Sequence, residues 1–173
     1  MTDSYFKSFS TAEPIVSETT DNPDHSFGDI YDLANSFLAI ESMTHKKLQK
    51  LCYYAKAWYL AINDMNLISE PFEAWVHGAV QPRLYQKYRA YGFQPIPMYT
   101  DSLDNLPEEF LSFAREIFSS YGDLSGDDLE RLNHREMPWQ NARKGLKPWQ
   151  NSDNEINEND MKTYYRGLMS DGK

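Results

Sequence analysis

Residues 44–63 constrain the fold more than any other stretch, because they predict a helix that is apolar around most of its circumference. Thr44 is a suitable N-cap residue, and helical periodicity continues from it to Asn63. At about 100° per residue, one arc holds Leu48, Leu51, Cys52, Ala55, Trp58, Tyr59 and Ile62. Beyond the first turns, the opposite side carries Tyr53, Tyr54, Ala57, Leu60 and Ala61. Such a helix is either central in its fold or covered on one side by a partner, and both interpretations stay open.

The other periodic segments are also helical, apart from one short alternating stretch. A first helix is predicted to start near Asp29, with an apolar stripe at Ile30, Leu33, Ala34, Phe37 and Leu38. Residues 72–76 alternate as in a short strand, and His77–Gly78 follows as a turn. Further helices are expected to open at Pro82, Pro107, Ser125, Pro138 and about Asn157. The pattern predicts a mainly α, compact, single-domain helical bundle with at most one short β-hairpin.

The chain of 173 residues is long enough for one domain with a substantial core. Residues 1–28 mix Ser, Thr, Pro, Asp and Glu without a helical or strand period. They are interpreted as a flexible acidic leader, which is either simply disordered or becomes ordered on a partner. The predicted domain then covers residues 29–170.

Charge is distributed unevenly along an acidic chain. The formal net charge is −9, which counts against general binding to nucleic acid, because phosphate contacts need clustered cations. Residues 44–63 nevertheless contain four lysines and no acid, and Arg83, Lys87 and Arg89 form a second basic group. With the neighbouring tyrosines, these cations indicate either a solvated face or a binding surface. A protein partner is favoured over RNA, because Tyr and Arg dominate protein hot spots.

The residues that catalysis or metal binding would need do not occur in a suitable pattern. The four histidines are scattered without ligand spacing, and there is no Gly-rich phosphate loop. Cys52, the single cysteine, lies on the apolar arc of the predicted helix, where a buried hydrophobic role is expected. The sequence predicts no catalytic, cofactor or metal site. It also lacks a membrane-length apolar run and a signal-peptide pattern, so a cytoplasmic protein without membrane contact is expected.

Three blocks of sequence resemble the Panacea antitoxin domain family, which is also described as SocA-like and phage-associated. The first block is Met43–Tyr59 (MTHKKLQKLCYYAKAWY), and the second is Phe72–Val80 (FEAWVHGAV) followed by Pro82–Tyr85. The third comprises Leu124–Ser125, His134–Glu136 and Pro138–Trp139. The blocks occur in order and span roughly residues 29–165. The family usually has Gly-Pro-Val where this chain has Gly78-Ala79-Val80, but Gly78 still supplies the special backbone geometry of the turn.

The resemblance implies the antitoxin of a bacterial or prophage toxin–antitoxin system, which neutralises a cognate toxin encoded nearby. The family pairs one domain with unrelated toxins, many of which stop translation, including toxins that resemble small alarmone synthetases. The leading hypothesis is neutralisation by direct protein–protein binding. The alternatives are a proteolytic adaptor that delivers the toxin to a protease, and an RNA-binding or transcriptional regulator.

Two groups of residues are predicted to carry this role. The first is a partner-binding surface on the second helix and the helix opened by Pro82, comprising Lys46, Lys47, Lys50, Tyr53, Tyr54, Leu60, Arg83, Tyr85 and Lys87. The second contains motif positions that serve the fold as much as an interface. These are Leu48, Gln49, Trp58, Trp75, Gly78, Pro82, His134, Pro138 and Trp139, and Lys47 also matches a motif position.

Overall fold

The computed structural model describes residues 26–171 and confirms the mainly α fold. The helices are α1 (Ile30–Leu38), α2 (His45–Asn63), α3 (Pro82–Tyr88), α4 (Glu108–Tyr121), α5 (Gly126–His134), α6 (Met137–Ala142) and α7 (Glu158–Asp171). A short 3-10 helix, Arg89–Tyr91, extends α3. The strands are β1 (Met43–Thr44), β2 (Glu73–Trp75), β3 (Gly78–Val80) and β4 (Pro95–Ile96). None of the helices within residues 26–171 is both long and apolar enough to cross a membrane.

Helix α2 is the centre of the fold, which confirms the first of the two interpretations of its sequence. The Thr44 hydroxyl accepts the amide of Lys47 and caps the start of the helix, as predicted. At the other end, Asp64 adopts a left-handed conformation with φ 58°. Every residue from 48 to 61 is buried, because α1, α4, α5 and α7 all pack against this helix.

The predicted capping residues begin the helices that surround α2. Asp29 accepts the amides of Tyr31 and Asp32 and forms a capping box at α1. Ser125 and Asp128 form the expected capping box at α5. Pro82 occupies the first turn of α3, where its missing amide proton costs no hydrogen bond. These contacts between near neighbours explain why the sequence located the helix starts so well.

Two small antiparallel sheets accompany the helices. Strands β2 and β3 form a hairpin, with Glu73 opposite Val80 and Trp75 opposite Gly78. Its turn is Val76–His77, one residue earlier than the predicted His77–Gly78, and Gly78 begins β3. The expected special geometry at Gly78 is confirmed by its φ of +97°. Strands β1 and β4 form a second pair of only two residues each, which the sequence did not indicate.

Residues 1–25 of the predicted leader lie outside the described residues. Residues 26–28, which the sequence assigned to the same leader, lie against the domain. The amide of Phe27 donates to the Leu67 carbonyl at 3.2 Å, and Gly28 bridges to Ile68. The Phe27 ring also contacts Tyr59 edge-on at 5.8 Å. Phe27 and Gly28 therefore pack with the domain that the sequence placed from residue 29 onwards.

Candidate partner-binding surface

The lysines at the start of α2 do not provide the unpaired positive charge that their sequence indicates. Lys46 forms ion pairs with Asp127, at 2.8 Å, and with Glu130. Lys47 pairs with Glu41 at 3.2 Å and donates to the Gly122 carbonyl at 2.6 Å. Because α5 brings Asp127 and Glu130 to Lys46, and Glu41 lies beside Lys47, the prediction of unpaired positive charge at these two lysines is wrong. Both lysines are half-buried and neutralised within the domain.

Four other residues of the predicted surface are buried, so the expectation that they form an exposed face is also wrong. They are Lys50, Tyr53, Tyr54 and Leu60. Helix α7 covers the second side of α2, and its Tyr165 ring contacts both Tyr53 and Tyr54. Lys50 lies beneath the hairpin, where its Nζ donates to the Ala79 carbonyl at 3.0 Å. Burial lowers the pKa of this amine to about 7.

A buried carboxyl group links several elements beside α2. Glu136 accepts hydrogen bonds from the hydroxyls of Tyr165, at 2.6 Å, and Tyr54, at 3.1 Å. Asn133 also donates to it at 3.4 Å, and the Asn133 side-chain oxygen accepts the amide of Ala79 at 2.7 Å. Burial raises the pKa of Glu136 to about 7, although its hydrogen bonds oppose this shift. The network ties α2, α5, α7 and the hairpin together.

Other polar motif residues also hold the fold. Gln49 pairs with the backbone of Gln81 in both directions, at 3.1 and 2.8 Å, and Gln81 in turn caps α3. Trp58 donates to the Tyr121 hydroxyl at 2.7 Å. Lys56, the fourth lysine of the basic stretch in residues 44–63, is fully buried, so it belongs neither to a solvated face nor to an exposed binding surface. Its Nζ donates to two loop carbonyls at 3.0 Å and pairs with Glu158 at 2.9 Å.

The third sequence block packs against the hairpin. Trp139 donates from its indole to the Trp75 carbonyl at 3.0 Å, and the His134 ring stacks on Trp139 with centroids 4.3 Å apart. Pro138 and Leu48 are buried. The motif residues therefore act chiefly as internal supports, as was expected for part of their role.

Helix α3 provides the part of the predicted surface that is accessible. Arg83 and Lys87 are exposed, and both lie over the Tyr31 ring, at 4.9 and 4.6 Å from its centroid. Arg83 also pairs with Glu70 at 3.1 Å. Tyr85 is half-buried and contacts the Trp75 ring at 4.9 Å. Thus α3 is bordered by Tyr31 on one side and by the hairpin on another.

The segment after α3 presents an exposed aromatic residue that the sequence patterns did not single out. Phe93 is 95% exposed, and Tyr91 and Met98 nearby are also exposed. The segment is anchored by buried Ile96, whose strand pairs with β1. The only sequence signal was an aromatic residue at the start of a Pro-containing connection, residues 93–104. We call Tyr31, Arg83, Lys87, Arg89, Tyr91 and Phe93 the basic aromatic surface.

A groove lies between the hairpin and the loop that follows α6. It has a volume of about 660 Å³ and is lined by Glu73, Trp75, Val76, His77, Trp149, Asn151, Ser152 and Asp153. Trp149 is 72% exposed, and sequence reasoning did not identify it. Within residues 26–171, the groove included, no group of three or more His, Cys, Asp or Glu residues is arranged to hold a metal ion. Cys52 is buried in the core, and burial raises the pKa of its thiol.

Comparison with known families gives one match. The family model described as antitoxin SocA-like, Panacea domain, matches residues 48–140. This segment includes most of α2, the hairpin, α3 and the His134–Trp139 stack, and it accounts for more than half of the chain. No curated protein and no solved structure matches the chain. The chain therefore belongs to the SocA-like antitoxin family that is built on the Panacea domain.

Proposed function

We propose that this chain neutralises a toxin protein by binding it directly, and that it does not catalyse a reaction. The observation that carries this proposal is the family match over residues 48–140. Family membership supports an antitoxin role in general, and the accessible surface supports direct binding as the mechanism. The buried motif residues would then provide a rigid base on which that surface is displayed.

The basic aromatic surface has the chemistry of a protein-binding hot spot. Phe93 offers a nearly fully exposed aromatic side chain, and Lys87 and Arg89 lie close to it along the chain. Among residues 26–171, no carboxylate forms an ion pair with Lys87 or Arg89. These cations would attract an acidic surface on the toxin, while Phe93 would enter an apolar pocket. A standard interface needs only about 800 Å² per partner, which a domain of this size can supply.

The proposal is tested by expressing the chain together with the product of the gene beside it. If the chain neutralises the toxin by direct binding, the two proteins should co-purify as a stable complex. The chain should also protect cells fully from the toxin when their cytoplasmic proteases have been deleted. If protection disappears in the protease-deficient cells, the chain is a proteolytic adaptor and blockade is refuted. If the chain protects cells by binding RNA and not the toxin, direct binding is refuted as well.

Replacing Phe93 with Ala is expected to weaken toxin binding about 30-fold, which corresponds to about 2 kcal/mol for a hot-spot side chain. Since Phe93 is 95% exposed, the free energy of unfolding should change little. The measurement is the Kd of the purified complex, with thermal unfolding of each variant as the check on folding. Met65→Ala is the matched control, because Met65 is an exposed apolar residue outside this surface. Equal Kd values for Phe93→Ala and the wild type would place the interface elsewhere.

A further inference from the structure

The groove beside the hairpin is lined by a tryptophan from each of two separate elements. Trp75 and Val76 come from the hairpin, and Trp149 comes from the loop after α6. The family match ends at residue 140, so it covers the hairpin wall and not the Trp149 wall. The groove thus combines the shared domain with a part of this chain that lies beyond the matched segment.

Both walls of the groove are held in place by one buried cation. Arg143 is 6% exposed and donates from Nη1 to the Ala74 carbonyl of β2 at 2.8 Å. Its Nη2 donates to the Gln150 carbonyl, next to Trp149. Asn154 adds a second link, because its carbonyl accepts the Ala74 amide at 2.8 Å. The groove is therefore formed before any partner arrives, which lowers the entropy cost of binding.

The charges around the groove favour a positively charged occupant. Glu73 and Asp153 line it, and none of its eight lining residues is Lys or Arg. The Glu73 carboxylate also accepts the Trp75 indole N–H at 2.6 Å and so orients that ring. Tryptophan faces are the best aromatic acceptors for cations. Lys147 Nζ lies 5.6 Å from the Trp149 centroid, so a bound cation must share this ring with Lys147 or displace it. Indole rings combined with carboxylates suit a guanidinium or ammonium group.

We propose that this groove is a second docking site, which binds an arginine- or lysine-bearing segment of the toxin. That the partner is a toxin rests on the proposed function. That the bound segment is positively charged rests on the tryptophans and carboxylates that line the groove. The segment's cation lies against Trp149 and is neutralised by Asp153. The basic aromatic surface then binds an acidic region of the toxin, and the groove binds a basic region of the same toxin. A protein must carry both regions in the right places to bind tightly, which makes recognition specific.

The chemistry of the groove is tested without the toxin, using a capped Arg-Gly-Arg-Gly-Arg peptide and a matched peptide with Glu in place of Arg. Binding is followed by NMR at the indole N–H signals of Trp75 and Trp149. The arginine peptide is expected to shift both signals, and the glutamate peptide neither. Trp149→Ala, followed at Trp75, should weaken binding about tenfold through the lost cation–π contact. Asp153→Asn should weaken it about threefold, as is typical of an exposed ion pair.

Matched controls separate the groove from general attraction to an acidic protein. Asp123→Asn removes an exposed carboxylate outside the groove and should leave peptide binding unchanged. Equal weakening by Asp123→Asn and Asp153→Asn, or equal binding of the two peptides, would overturn the proposal.

The toxin itself then provides an independent measurement. A Kd raised about tenfold by Trp149→Ala supports the groove as part of the toxin interface. An unchanged Kd for a toxin that binds the wild type overturns the groove proposal and leaves direct neutralisation intact. If the toxin does not bind the wild type at all, the proposed function fails, while the peptide result still decides what the groove recognises.

Discussion

Replacing Glu136 with Gln is expected to remove a fall in stability that the wild-type protein shows as the pH rises towards neutrality. Burial raises the pKa of this carboxyl from an ordinary 4.5 to about 7. Between these values the folded protein binds more protons than the unfolded chain, so raising the pH favours unfolding. Between pH 4.5 and pH 7, the free energy of unfolding therefore falls by roughly 3 kcal/mol, at 1.36 kcal/mol per pKa unit. The glutamine side chain stays neutral at every pH, and its amide oxygen can still accept hydrogen bonds from the hydroxyls of Tyr54 and Tyr165.

The measurement is the free energy of unfolding in urea at a series of pH values from about 4.5 to 7, for the wild type and the variant. The variant should lose much less stability over this range and should be the more stable protein at neutral pH. Glu116→Gln is the matched control, because Glu116 is exposed on α4 and its replacement should leave the wild-type slope intact. Parallel curves for Glu136→Gln and the wild type would show that Glu136 is already ionised in the folded protein.

Replacing Gly78 with Ala is expected to destabilise the fold by about 3 kcal/mol, for two reasons that add. The φ of +97° is one that residues with a Cβ rarely adopt. A Cβ at this position would also lie 2.7 Å from Lys50 Cε and 2.8 Å from the Asn133 side-chain oxygen. Neither neighbour can move freely, since Lys50 donates to the Ala79 carbonyl and Asn133 accepts the Ala79 amide.

Gly145→Ala separates these two contributions. Gly145 also has a positive φ, +85°, but a Cβ there would have no neighbour within 4 Å. Its replacement should therefore cost only the backbone term of about 1–2 kcal/mol. Chemical denaturation of both variants measures the difference, which reports the crowding at Lys50 and Asn133. Equal destabilisation by the two substitutions would show that the hairpin shifts to accommodate the new methyl group.

The local features of the sequence predicted the helices well, because the interactions that start a helix lie within four residues of each other. Thr44, Asp29 and the Ser125–Asp128 pair all cap the helices that they were predicted to cap. The special backbone geometry at Gly78 was predictable for the same reason, since it depends on the glycine itself. The match to the family over residues 48–140 confirms the resemblance that the three sequence blocks indicated.

The accessible surface could not be predicted in the same way, because exposure depends on elements that are distant along the chain. The sequence of α2 alone allowed Tyr53 and Tyr54 to be exposed. They are buried because α7, more than a hundred residues further along the chain, packs against them. The charge of Lys46 is cancelled by Asp127, which lies 81 positions away in sequence. Phe93 and Trp149 stand out only once their neighbours are folded around them and leave them uncovered. Periodicity shows which side chains share a face of one helix, whereas burial and ion pairing depend on which other elements reach that face, and only the packed chain determines that.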